Sequence, residues 1–560
     1  MPVQNPWVGY LDRSYQQIKA SLLNRLGIHV PEVTDHSSSN ILVIILEMFA
    51  GVAEMLGLYI DNMCREAFLA TARRFSSVVR LTKLLDYRIK ACTPASTDLV
   101  LTFDTPATGI GIIPLNTMFQ SLNGLVFRTL KTYIVNPGDT SIVIGVSELS
   151  PVSNVSLGVT TGLPNQAFSL PSNYVHDSIT VSINLDLWLR VNSLGLSKPF
   201  DKHYVVEIDV DGVAYLKFGD GQNGAIPPIG NTVVANFYTT LGEGGNLDKN
   251  LITQAISPIN IPGVSNISIT NPNPATGGSS FETIERIRVS APLSIRTLDR
   301  AVTRQDYIDI AKLAPGVGKA AVYFECGKDF DIYIVPIGGG IANTPLLDST
   351  QQWMDGRKMI TTFISVLPAG PTRIHAKIVA TVKFRQDPIL ALQDIKDALS
   401  FWFSYQNQDI NKRIRVSDLY ALIDNLARVD FLELSELYTI PYAKPRGHTN
   451  QLVWQRKTLP ASNSRTVWKL EYVLVGATPS MRIIKSGLYL TTIPLGTTFT
   501  DLEQTFQFTP GFGVYTVGNQ WEFVVYPYNT DIVLDDYTIP SIDLGDFDIE
   551  IKTQITEPVY

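Results

Sequence analysis

"FGDGQNGAIPPIGN", Phe218 to Asn231, joins "VAYLKF" to "NTVVANFYT", two runs that read as β-strands. It has the glycines and the acid of a phosphate-cradling or metal-binding loop, yet it ends in a double proline. Gly219-Asp220-Gly221 and Asn223-Gly224 tolerate positive φ, and Pro227-Pro228 set an extended exit. A phosphate cradle would open a helix whose first N–H groups meet the anion, whereas here a strand follows. The stretch therefore reads as a structural corner formed by Phe218, Gly219, Asp220, Gly221, Gly224 and Pro227, with a ligand site as the alternative. In the corner reading the glycines serve backbone geometry and Asp220 accepts turn hydrogen bonds.

The surroundings agree with a β corner. Short alternating runs such as "TDLVLTF", "LVFRTLKTYIV" and "SIVIGV" are separated by turn residues at the spacing of an antiparallel β domain over 97–268. "ITNPNPATGGSS" (269–280) has the composition of an exposed connection. Upstream, residues 1–90 form a helical module. Tyr15, Ile18, Leu22 and Leu26 repeat at helical spacing, with Asp12 as N-cap and Gly27 as the stop. "SSSN" (37–40) then caps a longer helical stretch that breaks near 74–77. Downstream, 281–443 predicts an α+β module. It holds helices at its start, a hairpin over 319–337, a helix at 346–367, a strand at 373–384 and helices at 388–403 and 416–426. On that strand Ile374, Ala376, Ile378, Ala380, Val382 and Phe384 share one face, so that face meets a core and the other meets water. Residues 451–560 are aromatic and strand-like, a separate C-terminal β-sandwich-like domain. The fold class is α+β, multidomain.

Bulk properties narrow the function. Of 560 residues, 45% are hydrophobic and 17% charged, so the chain folds and buries sizeable cores. Lys plus Arg number 45 against 52 Asp plus Glu, a net charge of −7, which leaves no electrostatic footprint for nucleic acid. Cys64, Cys92 and Cys326 are far apart, without a Cys-x-x-Cys, and read as reduced thiols. The N-terminus shows no basic segment followed by an apolar run, so no secretory signal is expected and folding in a cytoplasm follows. "ILVIILEMFAGVAEMLGLYI" (41–60) is long enough to span a bilayer, but Glu47, Glu54 and Asp61 fall on one stripe of it, and intramembrane carboxylates are costly. It reads as a packed helix with no membrane span.

Reaction chemistry is not evident. "LAPGVGKA" (313–320) lacks a nucleotide loop's first glycine and final Ser or Thr, having Leu313 and Ala320 in those places. There is no Gly-x-Ser-x-Gly elbow and no His-Glu-x-x-His, and the six histidines stand singly. No catalytic residue, cofactor or metal ligand is assigned. Asp546, Asp548 and Glu550 alternate with Phe547, Ile549 and Ile551 as the wet face of a strand would, rather than converging as calcium ligands. The densest charge lies around 286–309, where Arg286, Arg288, Arg296, Arg300 and Arg304 interleave with Asp299, Asp306 and Asp309 and follow Glu282 and Glu285. Ion-paired helix faces are one reading and an inter-subunit contact the other. Thr303 and Asp306 have the spacing of a capping box.

Three stretches carry a resemblance. "LKFGDGQNGAIPPIGNTVVANFYTTLGEGGN", "GIIPLNTMFQSLNGLVFRTL" from Gly111, and "GGSSFETIERIRVSAPLSIRTLDRAVTRQDYIDIAKLAPGVGKAAV" from Gly277 resemble the signature elements of the baseplate J-like proteins, wedge components of contractile phage tails and related injection machines. The resemblance runs from about 41 to 438. It departs at Ser279 and Ser280, where the family usually has Thr-Asp, and it leaves the C-terminal domain aside. It implies a non-enzymatic virion subunit of the tail baseplate, assembled in the host cytoplasm. The implied partners are copies of itself, other wedge proteins and the hub, with a tail-fibre or peripheral baseplate protein for the C-terminal domain. The implied role is to transmit the rearrangement that releases sheath contraction. A tail-associated polysaccharide-degrading enzyme and a glycan-binding adhesin are the rival classes.

Overall fold

A computed structural model of the chain describes residues 14–440 apart from 31, 33–34, 38–39, 86 and 325–328, and from 444 to 553 a set of strands with the turn at 486–487. It begins with a helical hairpin. Helix α1 (Tyr15–His29) is capped by Ser14, whose capping box with Gln17 takes the place expected of Asp12, a residue outside those described. Gly27 lies inside the last turn of α1 and does not end it. Helix α2 (Ile41–Glu66) starts where Asn40 Oδ1 accepts from the N–H of Leu42 at 3.0 Å. The chain then breaks. The Glu66 carboxylate accepts from the N–H groups of Arg73 and Arg74 at 3.1 and 3.2 Å, and α3 (Phe75–Leu84) follows.

The carboxylate stripe of α2 faces α1. Lys19 Nζ lies 2.6 Å from Glu47 Oε1, and the N–H of Tyr15 donates to Glu54 at 3.0 Å. Contrary to the expectation of a packed helix, only Val43, Ala50 and Asp61 of α2 are buried. The reason is geometric: one short helix covers one stripe, and the apolar sides of α2 have no cover among the described residues.

Two large sheets occupy 96–270, beside a small antiparallel pairing of Gly111–Ile113 with Tyr133–Val135. The first is antiparallel throughout, in the order Ile252–Ala255, Met118–Ser121, Val126–Thr129, Ser141–Ser147, Ser96–Phe103, Ile267–Thr270, around a core that includes Leu99, Phe119, Phe127 and Ile144. The second has seven strands, in the order Ser150–Val159, Thr232–Thr239, Thr180–Ile183, Asp186–Arg190, His203–Ile208, Ala214–Phe218, Ala167–Ser169; only the pairing of Asp186–Arg190 with His203–Ile208 is parallel. Its core takes in Val78 and Val79 of α3 and Ile287 and Ala291 of α4 (Ile284–Thr297), so segments distant in sequence share one apolar interior.

Helix α5 (Arg304–Leu313) packs on the expected hairpin, Val317–Phe324 with Asp329–Pro336. Helix α6 (Thr344–Asp355) stops at Gly356, and Phe363–Pro368 is a strand parallel to Asp329–Pro336. The helix expected over 346–367 is thus a helix and a strand, because Ile364 and Val366 fill the same core as Ile332 and Ile334. The long strand Gly370–Val382 buries Ile374, Ala376, Ile378, Ala380 and Val382 beneath α7 (Pro388–Trp402) and α8 (Val416–Asp424). Its other face is not simply wet, since Val379 and Thr381 are buried as well; strands flank it on both edges.

One flanking strand is Val429–Ile440, antiparallel; on the other side Thr538–Ser541 and Phe547–Thr553 return from the C-terminal region and pair in parallel. Phe547 is buried and Glu550 is exposed, as the alternation required. Between departure and return lie a five-stranded sheet containing Thr466–Val475 and Thr478–Lys485 and a three-stranded sheet containing Leu452–Arg456. The C-terminal strands therefore do not all stay in a separate sandwich.

Candidate functional site

At the corner, Phe218 is buried and meets the Trp188 ring edge-on at 5.0 Å between centroids. Asp220 Oδ1 accepts from the N–H groups of Gln222 at 2.9 Å and Asn223 at 2.7 Å, and those backbone donors hold its carboxyl below the usual range. The N–H of Gly221 donates to the Gly224 carbonyl at 3.0 Å. Gly221 and Gly224 have φ of +87° and +88°, where other residues are strained. Gly219 is required for space: a Cβ there would lie 2.3 Å from the Gly224 oxygen. Pro227 is buried. The two strands joined here are not neighbours, because three others stand between them in the sheet. The corner is a crossover between the two halves of the sheet and not a hairpin.

The arginine-rich interval is mostly turned inward. Arg286 donates to the Val317 carbonyl, Arg288 to the carbonyls of Leu69 and Ala72, and Arg304 to that of Val322 at 2.8 Å. Arg296 pairs with Asp309, a carboxylate only 2% exposed, which ties α4 to α5. Asp306 closes the capping box of α5: its Oδ2 accepts from the N–H of Thr303 at 2.8 Å, and Thr303 Oγ1 accepts from the N–H of Asp306 at 3.2 Å. The Thr303 N–H is the main cause of the lowered pKa of Asp306. Arg300 is exposed, and among the described residues no side-chain partner is found for it. Its chain neighbours Leu298 and Val302 are exposed too, as are Val289 and Ile295 of α4.

Sequence reasoning missed a third feature, a cavity of about 440 Å³ where residues 87–91, the seven-stranded sheet, α4 and α6 meet. Lys90 is buried there, and burial pushes its pKa down to about 8, with Glu282 opposing the shift. Its Nζ donates to the carbonyl of Leu313. Burial also lowers the pKa of His176, whose Nε2 lies 3.1 Å from Asp177; Arg190 pairs with the same carboxylate, and Arg357 pairs with Asp299. Lys90, His176, Arg190 and Arg357 are far apart in sequence and carry no motif, so no local signal marks the cluster. Lys90, Arg190 and Arg357 each have an acceptor, and the bond from Lys90 ties the segment after α3 to the end of α5. Among the described residues no group of three or more His, Cys, Asp or Glu side chains could hold a metal ion.

Residues 14–84, from the start of α1 to the end of α3, match the family described as bacteriophage baseplate protein, N-terminal domain. Among curated proteins none matches the chain. Among solved structures, a chain of the anti-feeding prophage baseplate determined by cryo-electron microscopy with six-fold symmetry superimposes with a TM-score of 0.27 and 12% identity, over 78% of this chain and 90% of that one. The helical hairpin and α3 are thus similar to a baseplate protein's N-terminal domain, which supports a structural baseplate role for the chain.

Proposed function

We propose that the protein is a wedge subunit of the baseplate of a contractile phage tail or related injection machine, where it assembles with copies of itself and with other wedge and hub proteins. The observation that carries this reading is the family match over residues 14–84, in a segment whose long helix has apolar sides left uncovered by the described residues. The ordered motifs from Gly111, Leu216 and Gly277 support the narrower assignment to the baseplate J-like proteins. The protein acts through interfaces and not through a reaction centre. A ring that switches arrangement when the host is contacted stores its two states in subunit contacts. The sheets between 444 and 533 leave from and return to the same α+β sheet, a two-ended mount suited to contact with a peripheral component. Electron microscopy of particles carrying a tag on this chain tests the proposal. Density in the baseplate is expected. Density in the capsid, or hydrolysis of host polysaccharide that follows the pure protein, overturns it.

A further inference from the structure

The cavity beside Lys90 has more hydrogen-bond donors in its wall than the chain satisfies. Tyr174 and Arg190 line it; the O–H of the first and the Nε–H of the second are buried and have no acceptor among the described residues. The Lys90 ammonium is a third case. It carries three N–H groups, and the Leu313 carbonyl is the single acceptor found for it among the described residues. Lys90 is only 8% exposed, so bulk water reaches little of it. Buried polar groups left unpaired are costly and call for a partner. All of these groups are donors, so the partner that satisfies them is an acceptor.

The charges in the wall give that acceptor a sign. Arg88, Lys90, Arg190 and Arg357 line the cavity against the carboxylates of Asp177 and Asp299. Glu282 is close to Lys90, but its carboxylate already accepts from Tyr87 Oη at 2.8 Å and from the N–H of Lys90 at 3.2 Å. His176 adds no charge to the wall, because its Nδ1 accepts from the N–H of Ala91 at 3.2 Å and burial lowers its pKa. The rest of the wall is apolar: Ile89, Ile208 and Leu313 are buried there, and Ile295 and Leu298 of α4 are exposed on its solvent side. A hydrated ion such as phosphate would leave that apolar surface uncovered, whereas a hydrocarbon body covers it.

We propose that the cavity binds a carboxylate carried on a compact apolar stem, with the carboxylate toward Lys90, Tyr174 and Arg190 and the stem against the apolar wall. A carboxylate offers about four lone-pair sites, enough for the unpaired N–H and O–H groups around it. A volume of about 440 Å³ falls within the range of small-molecule sites. The wall draws on residues 87–91, the seven-stranded sheet, α4 and the end of α5, so an occupant ties these elements together and its binding registers as thermal stabilisation.

The test uses the full chain. Octanoate stands for a free fatty acid and N-acetyl-leucine for the C-terminal residue of a polypeptide. At least one of them is expected to bind in a saturable one-to-one manner by isothermal titration calorimetry and to raise the melting temperature, while octanamide, N-acetyl-leucinamide and inorganic phosphate do neither. The acid that binds more tightly identifies the source. Lys90→Met is expected to weaken that acid about tenfold and Tyr174→Phe about fivefold, the second removing one hydroxyl and keeping the ring that meets Phe237 edge-on. If Lys90→Met does not unfold cooperatively, Tyr174→Phe alone decides. Absence of binding by both acids at millimolar concentration overturns the inference, as do equal affinities for acid and amide. Binding that Tyr174→Phe leaves unchanged belongs to another surface and overturns it too. A chain absent from the baseplate removes the function proposed above and leaves this site in place.

Discussion

The N–H of Thr344, the first residue of α6, donates to both carboxylate oxygens of Asp98 at 3.1 Å each, so a strand of the six-stranded sheet supplies the anion at the head of a helix 246 residues away in sequence. Asn343, the N-cap, strengthens the junction by receiving a hydrogen bond from Ser96 Oγ at 2.9 Å. Helix N-termini attract negative charge, but burial outweighs that here and pushes the Asp98 carboxyl up to about 6.

Asp98 therefore makes stability depend on pH. The folded carboxyl binds its proton more tightly than the unfolded one, whose pKa is 3.8, so its contribution is fully present below that value and is lost as pH rises through about 6. Asp98→Asn keeps an acceptor and removes the charge. Relative to wild type it is expected to gain on the order of 1 to 3 kcal/mol above pH 6, shrinking to nothing near pH 4. Urea unfolding of both proteins across that range checks it; a gap that does not vary with pH excludes the titration.

The same junction demands a glycine. A Cβ at Gly145 would sit 2.7 Å from Cγ and Cδ of Pro345 and 3.1 Å from Tyr133 Oη. The proline ring is rigid and heads α6, so Gly145→Ala is expected to cost about 1 to 3 kcal/mol. Gly356→Ala serves as the comparison, since its φ of −72° suits alanine and its nearest neighbour atoms are 4.0 Å away. That variant is expected to be neutral or stabilising. Equal melting temperatures for the two variants would contradict the geometry.

At the corner the ranking of glycines is the prediction. Gly219→Ala collides with backbone atoms of Asn223 and Gly224, whereas Gly230→Ala meets open space and suffers only from its φ of +77°. Gly219→Ala is expected to lose more stability than Gly230→Ala, which loses about 1 kcal/mol. Calcium or ATP is expected to leave the wild-type melting temperature in place; a shift abolished by Asp220→Ala would make the corner a ligand site.

Charge reversal separates the two remaining arginines of interest. Arg296→Glu leaves Asp309 buried beside a like charge, an arrangement that costs about 3 to 5 kcal/mol in comparable cases. The lone chain should therefore melt earlier. Arg300→Glu is expected to leave the melting temperature unchanged and, if the outer side of α4 is a subunit contact, to impair wedge assembly. Intact assembly with Arg300→Glu removes Arg300 from the interface.

Local chemistry made several elements legible in advance. The capping box of Thr303 and Asp306, the N-cap at Asn40 and the core face of Ile374 to Val382 each depend on residues a few positions apart. The turn at 220–224 is local in the same way, because Asp220 accepts from Gln222 and Asn223 and Gly221 donates to Gly224, all within five residues. The 346–367 segment misled because α6 ends at Gly356 and the apolar residues beyond it serve a strand whose partner lies some thirty residues back in the chain.

By itself the sequence determined the class of the fold, the identity of most helices and strands, the side of α2 that carries charge, and the three motifs that resemble baseplate proteins. These follow from periodicity and turn chemistry, which act over one or two turns of backbone. Tertiary structure alone decided that Arg286, Arg288, Arg296 and Arg304 brace their own chain. It also decided that the strands on either side of the corner lie apart, and that Thr538–Ser541 and Phe547–Thr553 return to Gly370–Val382. A guanidinium finds an acceptor, and a strand edge its partner, wherever the folded backbone brings one within reach. That choice belongs to the packing of distant segments and leaves no mark on the residues nearby.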